Sequence, residues 1–366
     1  MTNLSDITLV IPAYNRPAYL ERQIDFWLQT DVKLCILDGS RESAPQALID
    51  RMGSNVYYRH LPIGLNERLV MACDLVQTKY VALLGDDELY APTGLLDCIS
   101  QLEADKRLVA AVGRSMFFFH RDGEIIAHQT YEKSQNLVNI FGSDIDRLDE
   151  SLVDITRGPY LLYGLFNADQ WKAAVRVSYG RKYASGYVYE FAFHLIATLL
   201  GPSTMVDSLV WMRSGENPAM SSDAVNRKIG IGEWGTDPRF SEEVNYLIDG
   251  VVEAVANEGR FTAEELRNAV REAVEGFVAY SLHKPKRPIA HWHRTLYFLA
   301  RNTPTGLKQL LKRNMSTGLS KVLDYRGMPM TGAVNEMQKS GIALNEAEMQ
   351  SMEKFLIHFH QQLATS

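Results

Sequence analysis

Cysteine is scarce in this chain: 366 residues contain three. Cys35, Cys73 and Cys98 are odd in number and far apart, and none sits in a C-x-x-C pair. That argues against a disulfide framework and against a thiolate zinc site. Cys35 lies in an apolar run and the other two on helical patterns, so buried free thiols are expected. Long hydrophobic runs are also missing. The most apolar later stretches, 160–166 and 191–200, fall short of the roughly 20 residues that span a bilayer. The N-terminus has no basic segment followed by an apolar core, so no secretory signal is read there. The expectation is a protein made and kept in the cytoplasm. No internal repeat or low-complexity tract is found. The net charge of −6 argues against a general nucleic-acid binder.

What is present is an alternation of strand and helix signals over the first 120 residues. Short apolar runs at 7–12, 33–38, 55–59 and 80–84 read as strands. Helical patterns follow at 17–29, 45–52, 66–76 and 93–102, with Pro17 suited to a first helical turn. A strand at 108–119 turns at Arg121-Asp122-Gly123 into a hairpin partner at 124–128. This alternation predicts a mostly parallel sheet with helices on both faces. Ligands of such sheets bind beyond the carboxyl ends of the strands. Three polar clusters fall at such ends: Ala13-Tyr14-Asn15-Arg16, Asp38-Gly39-Ser40 and Asp86-Asp87-Glu88.

Each cluster has two readings. Three consecutive acids repel one another, and Mg²⁺ or Mn²⁺ offsets that cost through carboxylates plus substrate phosphates. A solvated turn before Pro92 is the other reading. Asp38 is a base or ribose acceptor, or part of a simple Asp-Gly turn. Tyr14 stacks on a base, or plugs the core.

Together the clusters resemble the family 2 glycosyltransferases of GT-A fold. The match lies in Pro12-Ala13-Tyr14-Asn15 after the first strand and Asp38-Gly39-Ser40 after the second. Leu83-Leu84-Gly85 then leads into an acidic motif of the Asp-x-Asp type. It is clear over 7–115 and looser to about 215. The resemblance implies a Rossmann-like α/β domain that takes a nucleotide-sugar donor, with a UDP-sugar favoured. Pro12, Tyr14 and Asp38 would line the nucleoside pocket, and Asn15, Arg16 and Ser40 would also bind the nucleotide sugar. Asp86 and Asp87 would lie near ribose and diphosphate. Asp87 and Glu88 would bind Mn²⁺ or Mg²⁺, although Glu88 stands where the family usually has aspartate. The family's catalytic carboxylate maps to Glu190, which follows Tyr189 where relatives commonly have Glu-Asp. A structural reading of Glu190 is a helix N-terminal charge. Arg213, after the last strand, is a candidate diphosphate contact or a surface arginine. His194 reads as a core or hydrogen-bonded histidine.

The expected organisation is a GT-A domain over 1–235, with a nucleotide-binding half (1–120) and an acceptor half (121–235). An α-helical region follows over 236–366. Helices are read at 242–257 and 262–282, the latter with a Thr262/Glu265 capping box. Asn345 and Glu348 repeat that signature before a last helix. Between His283 and Leu323 stand nine Lys or Arg residues and no acid. Peripheral docking on an anionic membrane at the inner face, phosphate binding on the acceptor, and a solvated or subunit-pairing face are its readings. An oligomer is left open.

The function expected is metal-dependent inverting transfer to a glycan or lipid-linked acceptor in surface polysaccharide synthesis. Two other classes compete. A nucleotidyltransferase would need a glycine-rich basic loop where Pro12–Pro17 stands. A non-catalytic nucleotide-sugar-binding protein would have little use for the full acid set.

Overall fold

The computed structural model describes residues 3–130, 161–217, 229–255, 262–283 and 327–365. Its first half alternates β1 (Ile7–Ile11), α1 (Pro17–Trp27), β2 (Lys33–Asp38), α2 (Gln46–Asp50), β3 (Val56–His60), α3 (Leu65–Leu75) and β4 (Tyr80–Leu83). Then come β5 (Leu89–Tyr90), α4 (Pro92–Ala104), β6 (Ala110–Arg121) and β7 (Glu124–Thr130). The α/β part closes with β8 (Leu165–Asn167), α5 (Ala168–Tyr179), α6 (Tyr187–Leu200) and β9 (Ser203–Ser214). Helices α7 (Ile231–Thr236), α8 (Ser241–Val255) and α9 (Ala263–His283) follow. The two-residue β10 (Met328–Pro329) precedes α10 (Met330–Lys339) and α11 (Glu346–Thr365).

All these strands form one mixed sheet. Its path runs β10-β7-β6-β8-β4-β1-β2-β3, and β9 pairs with β6 and β5. Strands β3, β2, β1 and β4 are mutually parallel, so their carboxyl ends share one edge. β1 and β4 are buried at every position, as parallel strands covered on both faces must be. That double burial explains why they read as continuous apolar runs. The expected hairpin is present too: Asp122 and Gly123 both take positive φ, as a two-residue primed turn demands.

The sheet separates two apolar layers. One packs β1 and β4 side chains under α1 and α4, with Ile24, Trp27, Leu95 and Ile99 at its centre. The other lies beneath α3, α5 and α6 and continues without a break into α8 and α9 through Leu247, Val251, Leu266 and Val270. The helical region after residue 235 is therefore fused to the same core. A third cluster seats α10 and α11 on β6 and β7 through Met330, Met337, Met349 and Leu356. Each fully buried side chain of this size stabilises by about 1.5–3 kcal/mol. α4 runs so close to β9 that a Cβ on Gly94 would meet the Leu209 carbonyl oxygen at 2.1 Å.

The three cysteines are free and buried, as expected. Burial pushes the Cys35 thiol up to about 12 and the Cys73 thiol to about 11. His194 is a core residue, drawn down to about 4 by burial. The Thr262 capping box forms in both directions, at 2.9 and 3.2 Å. The Asn345 signature forms only in half. Asn345 accepts from the Glu348 backbone N–H, but the Glu348 carboxylate reaches across to the Thr93 N–H at the start of α4. Nearly all of the basic stretch 283–323 lies outside the described residues. Among the described residues, no helix is long and apolar enough to cross a membrane.

Candidate active site

The parallel strands deliver three turns to one edge of the sheet. After β1 the chain turns through Ala13–Arg16, with Asn15 at positive φ. This conformation lets the Asn15 N–H donate to Ser40 Oγ at 2.7 Å, joining the first turn to the second. Gly39 N–H also donates to the Ala13 carbonyl at 2.9 Å. Asp38 at the end of β2 is buried. Its Oδ1 accepts from the Ser40 backbone N–H and hydroxyl, and its Oδ2 from the Tyr58 hydroxyl at 2.8 Å. Tyr14 stays 44% exposed, so its ring is open to a ligand.

The acidic turn is tied to the first turn by charge. Arg16 Nη1 lies 2.9 Å from Asp86 Oδ1 and 3.3 Å from Asp87 Oδ2. The Tyr14 N–H points at Asp86 Oδ2 at 3.3 Å. Burial, then the Asp87 charge, raises the Asp86 carboxyl to about 6, against the pull of Arg16. The Asp87 side chain is 13% exposed and accepts from Asn217 Nδ2 at 3.1 Å.

Glu88 faces a different environment. Its carboxylate accepts from Trp211 Nε1 at 3.1 Å and lies 3.4 Å from the Gly85 N–H. Tyr163 stacks on Trp211 at 4.0 Å. Burial and the Asp87 charge raise the Glu88 carboxyl to about 8, opposed by Trp211 and by Arg213 at the end of β9. Glu190 sits exposed in the first turn of α6, and its charge reaches Tyr163 and Tyr179. Tyr163 thus feels the charges of both Glu88 and Glu190.

Sequence reasoning missed the side chains that hold this edge in place. Gln23 on α1 donates to the Asp86 carbonyl at 3.1 Å and to the Glu88 carbonyl at 2.5 Å. Its neighbour Arg22 donates to the Asp87 carbonyl at 2.5 Å. Arg68 on α3, also buried, donates to the Ala13 and Leu37 carbonyls at 2.6 and 2.7 Å. Burial draws its guanidinium below the ordinary arginine range. The available signal was a polar residue on the apolar face of each helix.

These turns, on this sheet order, are matched by a family model. The model described as Glycosyl transferase family 2 covers residues 8–158. Residues 8–158 are thus similar to the family 2 glycosyl transferases. The chain is similar in structure to Staphylococcus aureus TarS residues 1–349 in complex with UDP-GlcNAc. Identity there is 11%, coverage 83% of each chain, and the TM-score 0.48. It is also similar to Mycobacterium tuberculosis glucosyl-3-phosphoglycerate synthase in complex with Mn²⁺, UDP and phosphoglyceric acid. There identity is 18%, coverage 62% of this chain and 76% of that one, and the TM-score 0.39. A comparison with curated proteins finds no significant match.

The carboxylates of this edge are the available ligands for a divalent cation. Among the described residues, no group of three or more His, Cys, Asp or Glu gathers as a ligand set. Asp86 is ion-paired and 1% exposed, and Glu88 is bound to Trp211. Asp87 keeps a partly exposed carboxylate at the cleft. One carboxylate suits a hard ion that takes its other ligands from phosphate and water.

Proposed function

We propose that this domain moves a sugar from a nucleoside-diphosphate donor, a UDP-sugar favoured, to a hydroxyl of a glycan or lipid-linked acceptor. The observation that carries the reading is the convergence of Tyr14, Asp38 and Asp86-Asp87 on one rim, linked by the Asn15–Ser40 and Arg16–Asp86 bonds. Tyr14 offers a face for the base, and Asp38, held by Tyr58 and Ser40, accepts from the nucleoside. Pro12 shapes the turn that carries Tyr14. Arg16 and Arg213 supply positive charge for the diphosphate. Asp87 is the carboxylate that would hold Mn²⁺ or Mg²⁺, which when bound neutralises the leaving diphosphate. Glu88, the second ligand by family resemblance, is better supported as a buried floor beneath Trp211.

Glu190 is the base in this reading. It takes the proton from the acceptor hydroxyl as the oxygen attacks the anomeric carbon in a single inverting displacement. Such help is worth about 10²–10⁴ in rate. Glu190→Gln is expected to lose that factor and keep UDP affinity in calorimetry. Near-normal turnover would remove Glu190 from the mechanism. A thermal-shift panel of nucleotides and nucleotide sugars with and without Mn²⁺ identifies donor and ion, because stabilisation follows affinity.

The wider setting is proposed on sequence grounds: a cytoplasmic enzyme of surface polysaccharide synthesis, with a GT-A unit to about 235 and a helical unit beyond. The basic segment 283–323 supports peripheral docking on anionic membrane. Co-sedimentation with anionic but not neutral liposomes is the expected result, and binding indifferent to lipid charge would dismiss the docking.

A further inference from the structure

Arg22 is an arginine buried to 1% exposure. Its Nη2 donates to the Asp87 carbonyl at 2.5 Å, and its Nη1 pairs with Glu216 Oε2 at 3.0 Å. Its guanidinium lies against two rings, Tyr19 at 4.6 Å and Phe359 at 4.8 Å from their centroids. The second Glu216 oxygen, Oε1, takes His360 Nε2 at 2.5 Å. The His360 ring stacks on His120 of β6 at 4.1 Å and 8°. Burial pushes the Glu216 carboxyl up, but His360 and Arg22 together hold it below the ordinary value. Both oxygens of Glu216 are therefore engaged, and Phe359 and His360 both come from α11, the last helix. Glu348 at the other end of α11 anchors it to α4.

We propose that α11 is a working part of the donor site. His360 positions Arg22 through Glu216, Phe359 covers the guanidinium, and Arg22 holds the Asp87 carbonyl. The turn 85–88 then keeps the Asp87 carboxylate facing the donor diphosphate, beside Asn217. A buried arginine is costly unless its charge is paired; here Nη1 and Nη2 are engaged by Glu216 and the Asp87 carbonyl while Nε has no hydrogen-bond partner. His360 and Glu216 are positioning residues and touch no reacting atom. The proposal rests on the reading that the acidic turn binds a nucleoside diphosphate.

Two measurements test it on the full chain. The first is hydrogen–deuterium exchange of a peptide covering 84–90, which needs no ligand. His360→Ala is expected to speed exchange there while α8 and α9 stay as in the parent. The second is titration with UDP, with donor KM and kcat measured alongside. Loss of a charge-assisted bond is worth about ten- to a hundredfold at the bond itself. Transmitted through two side chains, an increase of about tenfold in UDP Kd and donor KM is expected, with kcat within about threefold. His360→Gln, whose amide N–H reaches Glu216, is expected to restore affinity, which a merely structural loss would not do. If His360→Ala fails to fold, Glu216→Gln serves in its place. Unchanged exchange at 84–90, or exchange raised equally everywhere, overturns the proposal. If the parent chain binds no UDP yet the turn loosens on cue, the positioning stands and the nucleotide reading falls.

Discussion

Replacing Glu88 by Gln should stabilise this protein above neutral pH. A carboxyl whose folded pKa exceeds its unfolded value makes folding less favourable as pH rises. Below about pH 4.5 both states are protonated and nothing is lost. Between there and about 8 the unfolded chain ionises while the buried Glu88 keeps its proton, and above about 8 the loss is complete. The gap between about 8 and the ordinary 4.5 corresponds to roughly 5 kcal/mol. About 1 kcal/mol of this is already present at pH 5, leaving roughly 4 kcal/mol between pH 5 and pH 8.5. Unfolding entropy of about 2.1 cal/mol/K per residue converts that to roughly 5 °C in Tm for a chain of this length. Glutamine carries no charge and still offers an amide oxygen to Trp211 Nε1, so the bond survives. Differential scanning fluorimetry in EDTA, parent against Glu88→Gln across pH 5 to 8.5, should show the Tm difference growing with pH in favour of the variant. A flat difference, or a variant that loses ground at high pH, would mean that Glu88 is ionised in the folded protein. The reasoning would then fail. UDP titration with Mn²⁺ on the same samples bears on the other role: a large loss in the variant would return Glu88 to the ion.

Three further outcomes are expected. Arg68→Met should remove the donor that holds the Ala13 and Leu37 carbonyls and cost about 3 kcal/mol or more, read as a lower urea midpoint. Tyr58→Phe removes the bond to Asp38 Oδ2 and should cost about 1 kcal/mol of stability, with UDP affinity reduced severalfold in calorimetry. Gly94→Ala drives a methyl into the Leu209 carbonyl, so α4 must lift from β9 at a cost of about 1–3 kcal/mol in the same urea assay. A neutral result there would mean that the approach is looser than the 2.1 Å contact implies.

The edge of the sheet was legible in sequence because its cause is local. Parallel strands buried on both faces are continuous apolar runs, and they stop where polar turns begin, at Asn15, Asp38 and Gly85. The three-residue β8 was not legible, since a segment so short gains its strand geometry from β4 and β6 on either side. α5 buries Trp171, Ala174 and Val175 at helical spacing, against α3 and α6 of the same layer. The supporting side chains were hidden for another reason. Arg22, Gln23 and Arg68 stand out in sequence only as polar residues beside apolar helix positions, and only the fold puts the carbonyls they hold within their reach. The role of Glu348 shows the same limit. Its spacing from Asn345 spells a capping box, yet its carboxylate satisfies a different helix 255 residues earlier in the chain.

The fastening of α11 has a consequence for the order of assembly during synthesis. Domains fold as they emerge, N-terminal parts first. The sheet and its three turns can form long before the ribosome reaches residue 345. The partners of Thr93 and Glu216 arrive 255 and 144 residues after them. A growing chain would therefore hold a shaped but unbraced cleft, with Arg22 covered by Tyr19 alone, until α11 docks. Competence to hold the donor would then arise in one late step, and a product cut short within α11 would fold around its core yet remain idle.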